Sequence, residues 1–150
     1  MQRLQGAPDE CAHEVLDVVP LAMRVIRIKL REHGTQLLSV PQFRTLLFIS
    51  RNEGAYLSEV ADHIGLTLPS MSALVDGLVT RNFVTRKTHR GDRRRVDLTL
   101  TQQGETTLHS AWNATQDYLK ERFDRLPEAE RATVVKGMKI LRRVFSERVV

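Results

Sequence analysis

The side chains best equipped for chemistry in this chain are arginines, and they are crowded together. Between Thr67 and Arg95 stand Arg81, Arg86, Lys87, Arg90, Arg93, Arg94 and Arg95, opposed only by Asp76 and Asp92. Seven bases against two acids leave an excess of five, the whole of the +5 net charge carried by the 150 residues. A positive field focused on so short a stretch suits a polyanion, and phosphate in particular. Within the run Arg90-Gly91-Asp92-Arg93-Arg94-Arg95, Asp92 would be repelled by a polyanion if left bare. It is expected to pair with Arg93 or Arg94 and fix the aim of the guanidinium.

Other chemistries find less support. The five histidines, at 13, 33, 63, 89 and 109, are scattered. Cys11 and His13 are two apart and do not face one another on a helix, so no metal site is expected. The single cysteine excludes an internal disulfide. Glu10 and Glu14 lie close to it, and no redox role is assigned. There is no glycine-rich phosphate loop, no His-Glu-x-x-His and no nucleophile elbow, so neither an enzyme nor a cofactor is expected. Residues 1 to 10 lack the apolar core of a signal peptide, and no stretch approaches the length that spans a bilayer. The expectation is a cytoplasmic protein that does not engage the membrane.

The elements that must position the arginines can be read from periodicity. Residues 1–7 read as a frayed terminus. A first helix is expected from Pro8, with Val15, Val18, Val19, Ala22, Ile26 and Leu30 on one face, a kink at Pro20 and an end at Gly34. Pro41 to Ser50 reads as a second helix, Leu57 to Ile64 as a third. Thr67 opens a fourth that runs to about Arg81, with Asn82 in the left-handed conformation. The period then shortens: Phe83 to Lys87 and Val96 to Leu100 are strands of a hairpin around residues 88–92. Thr101 caps a fifth helix with Leu108, Trp112, Leu119, Phe123 and Leu126 on its buried side, and Pro127 breaks it. A sixth runs from about Glu128 to Arg148, with Val134, Val135, Met138, Leu141, Val144 and Phe145 apolar.

The third and fourth helices have the layout of a helix-turn-helix. Ala61 is small enough for a close crossing, and Gly65 supplies the positive φ that the turn needs. The exposed face of the fourth helix presents Pro69, Ser70, Ser72, Ala73, Asp76 and Gly77. Short side chains of that kind let a helix sit deep in the major groove. The hairpin that follows would reach the adjacent minor groove, where arginine is favoured. Candidate DNA contacts are therefore Thr67, Pro69, Ser70, Ser72, Ala73, Asp76, Arg81, Arg90, Arg93, Arg94 and Arg95, with Asp92 orienting the wing.

Leu57-Ser58-Glu59-Val60-Ala61, Gly65-Leu66-Thr67, Leu74-Val75-Asp76, Leu78, Phe83-Val84, Asp92-Arg93-Arg94 and Leu100-Thr101-x-x-Gly104 together resemble the MarR family of bacterial regulators. The resemblance is close over about 50 residues, and the Asp-Arg-Arg wing followed by Leu-Thr-x-x-Gly is its most specific part. It implies a homodimeric winged helix-turn-helix protein on a palindromic operator in double-stranded DNA, usually a repressor. Release would come from a small effector, aromatic or acidic, or from cysteine oxidation. By the same resemblance, Ser70 and Ser72 fall at recognition-helix contact positions, and Arg93 and Arg94 at wing contact positions. Members often carry a base where this chain has Ala73 and Gly77, so phosphate binding shifts here onto the wing.

The expected fold is mainly α with a small β-wing. Residues 35–100 form the winged helix-turn-helix, and residues 1–34 and 101–150 a helical dimerisation region, the whole being one intertwined domain. The apolar stripes of the first, fifth and sixth helices exceed what a wing domain covers, which points to a partner copy. A sensing pocket would lie between these helices and the wing domain, near Arg24, Arg27 and Trp112, with no ligand residue assigned. Two other readings remain open: a non-specific architectural DNA binder, and a winged-helix module that binds an acidic protein.

Overall fold

The computed structural model describes residues 6–32 and 38–146. The expected Gly34 cap, most of the expected frayed terminus and the end of the last helix at Arg148 lie outside them. In chain order the elements are α1 (Pro8–Glu32), α2 (Val40–Arg51), β1 (Ala55–Tyr56), α3 (Leu57–Ile64), α4 (Leu68–Thr80), β2 (Val84–His89), β3 (Asp92–Leu100), α5 (Gln102–Phe123) and α6 (Glu128–Ser146). The chain divides into two compact units, Met1–Thr115 and Gln116–Val150.

Local sequence accounts for most helix ends in the first unit. Ser39 caps α2 by accepting from the Gln42 N–H, while the Gln42 side chain accepts from the Ser39 N–H, a reciprocal capping box. Pro41 lies in the first turn, where no N–H is missed. Gly65 ends α3 at φ +80° and donates its N–H to the Ala61 carbonyl. Thr67 caps α4 by accepting from the Ser70 N–H. Asn82 follows α4 with φ +59°, as its position after the helix predicts. Pro20 lies inside a helix that runs unbroken from Pro8 to Glu32.

Two features of the sheet depart from expectation. The hairpin strands are longer than the apolar alternation suggests, leaving only Arg90 and Gly91 between them. A two-residue strand, β1, was not expected; it pairs antiparallel with β3, Ala55 opposite Leu98 and Tyr56 opposite Asp97, giving the sheet order β1-β3-β2. Gly54, at φ +76°, enters β1 by donating to the Leu98 carbonyl.

One aliphatic core holds this unit together. Leu46, Ile49, Val60, Met71, Val75, Leu78, Phe83 and Leu98 are buried within it, drawn from α2, α3, α4, the sheet and the turn between α4 and β2. Leu30 of α1 and Leu108 and Ala111 of α5 belong to the same core. The buried side of α5 differs from the expected one. It runs through Gly104, Leu108, Ala111 and Thr115, while Trp112 and Phe123 are exposed. The close approach of small residues explains the shift: a Cβ on Gly104 would lie 2.0 Å from the Phe83 carbonyl oxygen. On α1 only Leu30 of the expected face is buried, and Leu16, Val18, Val19 and Leu21 are exposed. In the second unit, α6 buries no residue at all.

Candidate nucleic-acid interface

The fourth helix is held at its N-terminus by a local polar knot. The Thr67 hydroxyl accepts from the Ser70 N–H at 3.3 Å and donates to the Ser70 hydroxyl oxygen at 2.9 Å. Both side chains are exposed, as are Pro69, Ala73 and Asp76, and Ser72 is half-buried. The helix therefore offers a small, uncharged leading edge backed by the buried Met71, Val75 and Leu78. These three fix its rotation, because they are spaced as one helical face.

The seven bases of the 67–95 window are not equivalent. Arg81 closes α4 and lays its guanidinium 4.7 Å from the centre of the Phe83 ring. Arg86 reaches from β2 to Asp76, with Nη1 2.7 Å from Oδ1. Arg95 is folded onto Tyr56, 3.1 Å from the ring centre, and lies 3.8 Å from Asp97. Its Nε is buried without a hydrogen-bond acceptor. Arg90, Arg93, Arg94 and Lys87 are exposed, and no ion pair involves them among the described residues. The window thus presents four bases outward and holds three to the protein.

Asp92 behaves differently from its expected pairing. Its Oδ1 accepts the backbone N–H of Arg94 at 2.9 Å and meets neither neighbouring guanidinium. The carboxylate shapes the turn into β3 through the backbone, and leaves the Arg93 and Arg94 side chains unconstrained by it. A short carboxylate two residues before an N–H closes such a turn readily, which the charge pattern alone does not reveal.

Residues outside the expected set complete the region. Asp97, opposite Lys87 and Tyr56 in the sheet, joins His89 and Arg95: His89 Nδ1 stands 3.0 Å from Oδ2. Tyr56 supplies the face on which Arg95 rests. The signal for Arg86 was its place two residues after Val84, on the same face of β2. For Tyr56 there was none, since β1 is too short to show a period. A cleft of about 300 Å³ opens beside the wing root, with Tyr56, Leu57, Leu68, Arg94, Arg95 and Val96 on its walls.

Away from the wing, Phe48 packs against His63 with ring centres 4.5 Å apart. Burial, and then the positive charges of Arg44 and Arg51, hold the His63 pKa below its usual 6.5. Phe43 stacks on Trp112 at 6.2 Å, with Arg51 5.7 Å from the Trp112 ring. No cluster of three or more metal-ligating side chains occurs among the described residues. None of the described helices is long and apolar enough to cross a membrane.

Comparison with known proteins agrees with this architecture. The MarR family model matches residues 38–95, which run from the start of α2 to the wing. The HTH-type transcriptional regulator YfiV of Bacillus subtilis strain 168 is 27% identical over 108 residues, covering 72% of this chain and 68% of that protein. The crystal structure of RV1404 from Mycobacterium tuberculosis superposes with a TM-score of 0.81 at 20% identity, over 96% of this chain and 97% of that one. Streptococcus pneumoniae FabT, solved in complex with DNA, gives 0.76 at 18% identity, over 94% and 99%. The transcriptional repressor CouR, bound to a 23-mer DNA duplex, gives 0.72 at 23% identity, over 94% and 98%. With its helix-turn-helix and its three-stranded winged sheet, the stretch from residue 38 to residue 95 is similar to the MarR family of winged helix-turn-helix transcriptional regulators.

Proposed function

We propose that this protein binds a palindromic DNA operator as a homodimer and represses transcription until a small-molecule effector releases it. One observation carries the reading: the small-residue edge of α4 and the outward bases of the wing belong to one packed unit. The edge from Thr67 to Ala73 suits the major groove, where serine hydroxyls meet base edges and phosphates. Arg90, Arg93 and Arg94 suit the backbone and the narrow minor groove beside it. Arg81 and Arg95 then act by bracing the ends of α4 and the wing. FabT and CouR, which share the fold, were both solved with DNA, and CouR is a repressor.

The exposed apolar residues of α1 and of α6 support a helical dimerisation region made of α1, α5 and α6. A two-fold dimer would set two recognition helices about one turn of DNA apart, roughly 34 Å. The cleft at the wing root supports the effector. Its volume of about 300 Å³ suits a small molecule, and an acidic aromatic one would engage Arg94 and draw it from DNA.

Selection from a random duplex library near physiological salt tests the reading. A palindrome with half-sites about 10 bp apart is expected. Binding without a motif that vanishes as salt rises would indicate an architectural binder. An absence of duplex binding would leave the protein-interaction module.

A further inference from the structure

Ser72 and Asp76 are one helical turn apart and share a face of α4. Arg86 stands on β2 two residues beyond the buried Val84, so its side chain leaves the sheet on the face that Val84 turns to the core. From there one guanidinium meets both helix residues. Nη1 lies 2.7 Å from Asp76 Oδ1, and Nη2 donates to the Ser72 hydroxyl oxygen at 3.5 Å. The first contact is a strong charge-assisted pair; the second is at the outer limit of a hydrogen bond. A planar fork spans two acceptors in this way, and a lysine ammonium does not.

We infer that Arg86 is a positioning residue for DNA recognition: it cancels the charge of Asp76 and ties the recognition helix to the first wing strand. Asp76 is exposed on the face turned toward the proposed DNA, where a bare carboxylate would repel phosphate. Arg86 removes that repulsion and is itself used up in doing so, so it adds no counterion-releasing contact of its own. The bond to Ser72 occupies a lone pair on the hydroxyl and leaves its proton to be donated. Ser72 is thereby set to address acceptors such as purine N7 or a phosphate oxygen. Asp76 thus reaches the DNA only through Arg86. The inference rests on the reading that α4 and the wing engage DNA.

The test is a double-substitution cycle on the full chain, R86Q, D76N and D76N/R86Q, with R86K as the conservative variant. The first probe is a duplex of fixed arbitrary sequence of about 30 bp, titrated across salt; the second is a random-library selection. R86Q is expected to weaken binding about tenfold, since it uncovers a carboxylate. D76N/R86Q should return to within about twofold of wild type on the fixed duplex with an unchanged salt slope, yet select a broader motif. D76N alone should bind more tightly, having released Arg86, and R86K should recover charge but not the motif. A double variant as weak as R86Q would mean that Arg86 touches phosphate itself, and an unaffected R86Q would mean that the pair is idle; either overturns the inference. Asp76 and Arg86 lie at the surface, and thermal melts of each variant separate misfolding from lost recognition. Wild type that binds no duplex sinks the DNA reading as well, whereas wild type with a motif and no recovery in the double variant sinks this inference alone.

Discussion

Gly104 shows how much a single hydrogen atom decides. Its α-carbon lies so close to the Phe83 carbonyl that a methyl group would stand 2.0 Å from the oxygen. The same carbonyl accepts the Thr101 N–H at 3.0 Å, and the Thr101 hydroxyl donates to the Asn82 carbonyl and accepts from the Gly104 N–H. The Leu-Thr-x-x-Gly motif is therefore a cap and a contact combined, fastening the start of α5 to the base of the wing. Gly104→Ala is expected to destabilise the fold by about 1–3 kcal/mol or more, because backbone rather than a flexible side chain must give way. For a domain of this size that lowers the melting midpoint by at least several degrees. His63 carries a second prediction. Its pKa is lowered in the folded state, so the unfolded chain holds more protons below about pH 6.5. The contribution of His63 is fully present above that value and is lost as pH falls through the folded pKa. Stability of the wild type should drop more steeply below pH 6.5 than that of His63→Gln, in denaturant melts at matched ionic strength. Equal slopes would remove the burial and the Arg44 and Arg51 charges as the cause.

At the scale of elements, the ends of α3 and α4 were legible because single residues announce them. Gly65 and Asn82 took the left-handed conformations that their positions demanded, and Thr67 capped α4. Thr67→Ala should cost about 1 kcal/mol, leave the fold intact and loosen the first turn that carries Ser70. Amide exchange at Ser70 and Met71 should speed up, and unchanged protection there would show that the tertiary contacts of Met71 hold the turn alone. Other elements were less legible. A two-residue strand has no period, so β1 left no trace in the sequence, and with it went the partner of Arg95. The buried stripe of α5 runs through Gly104, Ala111 and Thr115, small or polar residues that a search for large apolar side chains passes over. The basic window was plain from charge, yet charge could not sort it. Which arginines turn outward depends on Asp76, Asp97, Phe83 and Tyr56, and those pairings exist only once the sheet and helix have docked.

The whole molecule adds two quantities that no element holds alone. Lys87, Arg90, Arg93 and Arg94 are the bases of the window that the protein leaves uncommitted, so the proposed dimer would bring eight to the duplex. If every one met phosphate, the slope of log affinity against log salt would be about −7. A measured slope much steeper than that would require bases from elsewhere in the chain. The second quantity is association. Val135, Met138, Val144 and Phe145 of α6 are 53%, 55%, 53% and 62% exposed, and no residue of the helix is fully buried. Burying an aliphatic or aromatic side chain fully is worth about 1.5–3 kcal/mol, so such a row left in water forgoes much of what it could contribute to a dimer. Met138→Glu combined with Phe145→Asp should convert a dimer into a 17.2 kDa monomer by light scattering. Secondary structure in residues 38–115 should persist, because neither side chain belongs to that core. Operator affinity should then collapse by far more than the twofold expected from losing one of two independent half-sites, since linked sites bind at a high effective concentration. A variant that remains dimeric would move the interface off α6, and a monomer that still binds the palindrome as tightly would show that recognition does not need the second copy.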